Sequence, residues 1–366
     1  MADRRAWLLG LLLALVVAAC TKQGEPFVPA RPGHIDSTKV EGAESGRWTA
    51  NNNPYYVLKS VTVPRNQTLT IGPGVLVIFT KKGLNLNVRG TLLVEGKAES
   101  LVNIRPNSNR GLPSAPGDFG SVIFEAGSTG RLKSARVLYA TAAIRATDAD
   151  LTIDGCTLSN SLTDGLSLTR TNLVLTDATI ANNGMNGVLL TECDSPIHPV
   201  TIRHCNIGNN HLSGIWSISS AFEARNSDIR NNGDSRIPDF SAGIHVEGLP
   251  GTVPPILRQC NLNQNLPCDL RNVMPPGILV SADSVYWGPA TTDEMITKSN
   301  PTAPPPPPLP PANKDNCYFN VRLICDGLDY PAGGGLPGVN FCHWLDEPVP
   351  NFASSTMAPG WPGADH

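Results

Sequence analysis

The sequence predicts an all-β fold: a single-stranded parallel β-helix, a solenoid with rungs of about 22 residues, followed by a Pro-linked C-terminal appendage. Three observations predict it. Self-similar segments recur through the middle of the chain: "LTIDGCTLSNSLTDGLSLT" from Leu151, "LVLTDATIANNGMNGVLLT" from Leu173 and "VTIRHCNIGNNHLSGIWSI" from Val200, with looser copies from Phe222 and Ile256. Short alternating apolar runs are broken by turn residues every few positions, a pattern that no amphipathic helix could bury. Composition agrees: 34 Gly and 33 Pro beside 16% charged residues suit many strands and turns better than helices.

Residues 1–19 read as a signal peptide, with Arg4 and Arg5 ahead of an apolar run from Ala6 to Ala19 that is too short for a stable membrane span. The run ends in Val17-Ala18-Ala19-Cys20, which resembles the bacterial lipobox. That resemblance implies cleavage before Cys20 and acylation of Cys20. Several acyl chains anchor firmly, at about 0.8 kcal/mol per buried methylene. Thr21 in place of Asp implies, by the same resemblance, an outer-membrane lipoprotein of the bacterial cell envelope, held to the membrane by its lipid. Residues 20–45 are polar, bear Pro and Gly, and read as a flexible tether. The net charge is −3, and losing the basic leader makes the remainder more acidic, so nucleic acid is not an expected partner.

Residues 46–290 carry the coil. An apolar column runs Leu158, Ile180, Ile207, Ile229, Leu262, and a glycine column runs Gly165, Gly187, Gly214, Gly243. Between them lies a turn column, Asn160, Asn182, Asn209, Asn231, Gln264, expected to stack as a ladder of side-chain amides. Stacked rungs about 4.8 Å apart would bury like on like. Cys156, Cys205 and Cys260 share a column with Ala178 and Ser227. Cysteines two rungs apart are separated by about 9.6 Å, too far to bridge, so they read as small, inert core residues. Cys193 and Cys268 read as loop cysteines which, with Cys317, Cys325 and Cys342, leave the connectivity open. The repeat, the opening "LTIGPGV" and "VRGTLLVEG", and the closing "SVYWGP" resemble the right-handed parallel β-helix repeat family of the pectin-lyase-like superfamily.

Residues 291–312 contain "PTAPPPPPLPP" and read as an extended polyproline linker. Residues 313–366 carry three cysteines and read as a small appendage, stapled by disulfides if ordered.

The resemblance brings in pectate lyases, polygalacturonases and alginate-active enzymes. The polygalacturonase-like pattern places Asn-Thr-Asp before a glycine-led strand and an aspartate pair on the next rung. Here Thr163, Asp164 and Gly165 match the first element, but Met185-Asn186-Gly187 stands where the pair belongs. Glycoside hydrolysis ordinarily needs two carboxylates, so Asp164 is only a weak catalytic candidate and reads first as a turn residue. Two outward columns are candidate glycan surfaces. Arg203, Arg225 and Arg258 recur on successive rungs and suit an acidic glycan or phosphate, or simply splay into water. The residues after each strand-opening aliphatic run Ser167, Leu189, Trp216, His245, where Trp216, with Leu189 and His245, could stack on a sugar or lie beneath the long loop Gly233–Phe240 or the C-terminal appendage. No cofactor or metal is expected, since zinc spacing, P-loop and dinucleotide fingerprints are missing. The expectation is a non-catalytic, surface-anchored lipoprotein that binds a polysaccharide or serves as a cell-envelope scaffold. The alternative is a polysaccharide lyase or glycoside hydrolase on the same fold.

Overall fold

The computed structural model describes residues 37–107, 113–193, 200–275, 278–299, 320–326 and 338–350. The leader, Cys20, Asp194, Cys317 and the polyproline run lie outside the described residues.

The chain winds as a parallel coil with three faces. Face I is an eleven-stranded sheet that begins at Gly46–Trp48 and includes Asn172–Thr176, Val200–Arg203 and Phe222–Arg225. The other nineteen strands form one bent sheet that supplies faces II and III. Its two halves are joined through Tyr55–Val63, whose first residues pair with Leu76–Phe79 and whose last pair with Leu86–Val88. Face II includes Thr157–Ser159, Thr179–Ala181, Asn206–Gly208, Asp228–Arg230 and Asn261–Asn263. Face III includes Leu166–Thr169, Val188–Thr191, Ile215–Ile218, Ile244–Glu247 and Leu270–Asn272. All of these strand pairings are parallel.

The apolar column lies where the repeat puts it. Leu158, Ile180, Ile207, Ile229 and Leu262 pair in register and are fully buried. Each such side chain contributes about 1.5–3 kcal/mol of burial. Cys156, Cys205 and Cys260 are buried free thiols, and desolvation pushes each up to about 12, so they are inert. Cys193 corrects the loop reading. It too is buried and free, in a second small-residue column with Ala149, Thr171 and Ser220 at the corner between faces III and I. Its backbone N–H donates to Ser220 Oγ at 2.9 Å.

The amide ladder is displaced by one residue from its expected place. Asn160, Asn182, Asn209, Asn231 and Gln264 all have left-handed φ, between 56° and 60°, and so make the corner itself. Asn tolerates that conformation better than most side chains. The ladder runs through the next residue. Asn183 Nδ2 donates to Asn210 Oδ1 at 2.9 Å, Asn210 Nδ2 to Asn232 Oδ1 at 2.9 Å, and Asn232 Nδ2 to Asn265 Oδ1 at 3.0 Å. Asn265 Nδ2 then donates to Asp269 Oδ1 at 2.9 Å, so a carboxyl oxygen acting as acceptor ends the run of amides. The glycine column follows from this ladder. A Cβ on Gly214 would lie 2.6 Å from Gly243 O and 2.8 Å from Asn232 Nδ2, and Gly187 and Gly243 are equally crowded.

The ends depart from the expected boundaries. Thr38–Ala43 pairs with Tyr55–Val63, so the coil begins inside the segment read as a tether. Residues 291–299 are not linker: they belong to helix α1, Pro289–Ser299, which buries Met295 and pairs Lys298 with Glu294 one turn away. The described parts of the appendage continue the coil. Ile324–Cys325 pairs with Leu270–Arg271 and Val339–Asn340 with Val280–Ser281, while Phe341 and Trp344 are buried. A Cys268–Cys325 disulfide closes this junction, and Cys342 is disulfide-bonded as well. Among the described residues no helix is long and apolar enough to cross a membrane.

Candidate functional site

The ladder measures where the coil is interrupted. Successive ladder residues are 22 apart from Asn210 to Asn232, 27 apart from Asn183 to Asn210, and 33 apart from Asn232 to Asn265. The extra residues fall into three insertions: Gly233–Phe240 before a face III strand, and residues 194–199 and 248–255 after face III strands. All three adjoin the rungs that carry Leu189, Trp216 and His245. Loops on a regular scaffold are where binding groups are ordinarily displayed.

On face III the outward column runs Ser167, Leu189, Trp216, His245 and then Arg271, all in register. Trp216 stacks on His245 with centroids 5.0 Å apart and planes within 6°. Its Nε1 donates to Glu247 Oε1 at 3.1 Å, which fixes the ring's orientation. Phe240 meets Trp216 at a tilt of 56° and 5.8 Å, and remains 51% exposed. Trp216 and Phe240 therefore form an aromatic corner rather than a flat platform. Arg271 lies beneath the loop, with Nη1 donating to Pro238 O at 3.3 Å and Nη2 to Asp239 Oδ1 at 3.2 Å.

His245 lies in the outward column but is not accessible: it is only 2% exposed, and among the described residues its Nδ1 has no hydrogen-bond partner. Desolvation, with the Arg271 charge adding to it, lowers its pKa to about 4, so the imidazole is neutral near pH 7. A buried neutral imidazole, a guanidinium, two carboxylates and two aromatic rings together make this the chemically richest described part of the surface.

The other expected residues are not brought here. Arg203, Arg225 and Arg258 line up on face I, as their spacing suggested. Glu223 answers two of them: Arg225 Nε donates to it at 2.7 Å, and Arg203 Nη2 lies 3.9 Å from its other oxygen. Pairs this exposed contribute at most about 1 kcal/mol. Face I also carries a shallow depression of about 500 Å³ lined by Leu93, Arg131, Asp150, Thr152, Asn172 and Val174.

Asp164 is not exposed. It is buried at the corner before Gly165, where its Oδ1 accepts from Asn186 N at 3.0 Å and Asn186 Nδ2 at 2.9 Å. Desolvation raises its pKa, and its hydrogen bonds are those of a turn residue. Among the described residues no three His, Cys, Asp or Glu side chains gather as a metal site.

Sequence reasoning missed Asp239, Phe240, Glu247 and Arg271. Arg271 had a signal, because it extends the Trp216–His245 column by one rung. Phe240 and Asp239 had only the length of the insertion that holds them.

Residues 121–284 match the family described as right handed beta helix region. The fold is the right-handed parallel β-helix. Among solved structures the chain is similar to a double mutant of the periplasmic alginate epimerase AlgG, at 13% identity and a TM-score of 0.32. It is also similar to the periplasmic alginate epimerase AlgG, at 12% identity and a TM-score of 0.28. In both comparisons 63% of this chain covers 64% of the epimerase chain, just under two thirds of its length. Likeness at that level concerns the fold alone. No curated protein matches the sequence.

Proposed function

We propose that the protein is a non-catalytic, envelope-anchored β-helix that binds an acidic polysaccharide on face III. One observation carries this reading: the Trp216–Phe240 aromatic corner adjoins the Asp239 contact of Arg271, whose side chain is only 10% exposed. Aromatic rings take the apolar faces of sugars, and a guanidinium desolvated to this degree favours a carboxylate. Trp216 is already oriented by His245 and Glu247, so little side-chain freedom is lost on binding.

Binding is favoured over catalysis because His245 is only 2% exposed and Asp164 is committed to the corner. Full-length protein should be retained on immobilised polygalacturonate, while Trp216→Ala and Arg271→Ala should each weaken retention about tenfold or more. Equal retention of all three would sink the reading.

One observation supports a second reading. A neutral imidazole beside an arginine is suited to removing a proton α to a carboxylate, which is the first step of a lyase. Unsaturated products absorbing at about 235 nm would favour that reading over simple binding.

The same proposal places the chain in the bacterial outer membrane through acylated Cys20. A Cys20→Ala chain should then leave the detergent phase for the aqueous phase; if it stayed in the detergent phase, the lipid anchor would be wrong.

A further inference from the structure

We infer that the loop Gly233–Phe240 is a latch: Asp239 occupies the place on Arg271 that the ligand's carboxylate takes, and the ligand opens the loop by displacing it. This inference rests on the polysaccharide reading above. The contact is asymmetric: the Asp239 side chain is 78% exposed and the Arg271 side chain 10%. Arg271 comes from the sheet, so the guanidinium is fixed and the carboxylate is the partner that can leave.

The loop is held lightly. Its short helical turn Pro238–Phe240 buries no residue. At its start Gly233 N donates to Asn210 O at 3.0 Å and Asp234 lies 3.7 Å from His211 Nε2; at its far end Ser213 Oγ donates to Phe240 O at 3.1 Å, Phe240 meets Trp216, and Arg271 donates to Pro238 O and Asp239. Segments with few buried apolar contacts open at the lowest free energy. Exchanging one carboxylate for another keeps the charge at Arg271 constant, so the guanidinium need not be stripped of a counter-charge while the ligand enters.

Two measurements on the full chain test the latch. Arg236 is 75% exposed within the loop and offers a tryptic site. Asp239→Asn should speed tryptic cleavage after Arg236 about tenfold without ligand, and should tighten binding of an oligogalacturonide about fivefold to tenfold by calorimetry. Arg271→Ala should speed the same cleavage but lose the binding. Unchanged cleavage in Asp239→Asn, or unchanged affinity in a chain that binds the probe, overturns the latch and leaves the polysaccharide reading standing. Faster cleavage with no probe bound by any of the three chains overturns both.

Discussion

Replacing Asn210 with alanine is expected to lower the stability of the coil by about 3–5 kcal/mol. Asn210 Oδ1 accepts from Asn183 N at 3.2 Å and Asn183 Nδ2 at 2.9 Å. Its own Nδ2 donates to Ile180 O at 3.2 Å and to Asn232 Oδ1 at 2.9 Å. All of these groups are buried, so truncation strands several at once, each at about 1–3 kcal/mol before relaxation. The neighbouring Asn209→Ala is the control. It removes a left-handed Asn from the corner, with φ of 56°, and should cost only about 1–2 kcal/mol. Equilibrium urea unfolding separates the two. If Asn209→Ala proved as damaging as Asn210→Ala, the ladder would not be the element that holds the corner.

Asp269→Asn is expected to stabilise the protein at pH 8 by about 2–4 kcal/mol and to flatten its stability between about pH 4 and pH 7. Desolvation raises the Asp269 carboxyl from 3.8 to about 7, and its Oδ2 has no partner. In that window the folded chain keeps a proton that the unfolded chain has released. Stability contributed by the protonated carboxyl is therefore complete below about pH 4, falls as pH rises through about 7, and changes no further above it. Asparagine keeps the acceptor that Asn265 needs and removes the ionisation. Melting temperatures measured from pH 4 to pH 8 decide the matter: an identical slope in the two proteins would place the titrating group elsewhere.

The coil was legible because a parallel β-helix puts identical columns on top of one another, so its core is written as repetition. The off-by-one ladder shows where repetition fails. Three corners read Asn-Asn, at Asn182-Asn183, Asn209-Asn210 and Asn231-Asn232, and each pair divides two jobs between identical side chains. Only Asn160-Ser161 and Gln264-Asn265 break the tie, since there the two positions differ. Arg271 was hidden because its rung lacks the marker glycine: Asp269 stands there, ending the ladder. Asp239 and Arg271 meet across 32 residues through an insertion with no repeat to align it. Cys193 looked like a loop residue because an insertion begins directly after it, though the chain is still inside the core at that point. Site chemistry here depends on how irregular segments return to a regular frame, and such contacts leave no periodic trace.

Hydrogen exchange of the full chain with and without saturating oligogalacturonide tests the central claim most directly. Exchange should change in peptides spanning Gly233–Glu247 and Leu270–Asn272, with face I unchanged. Protection centred instead on the face I depression around Arg131, or on Arg203 and Arg225, would contradict it.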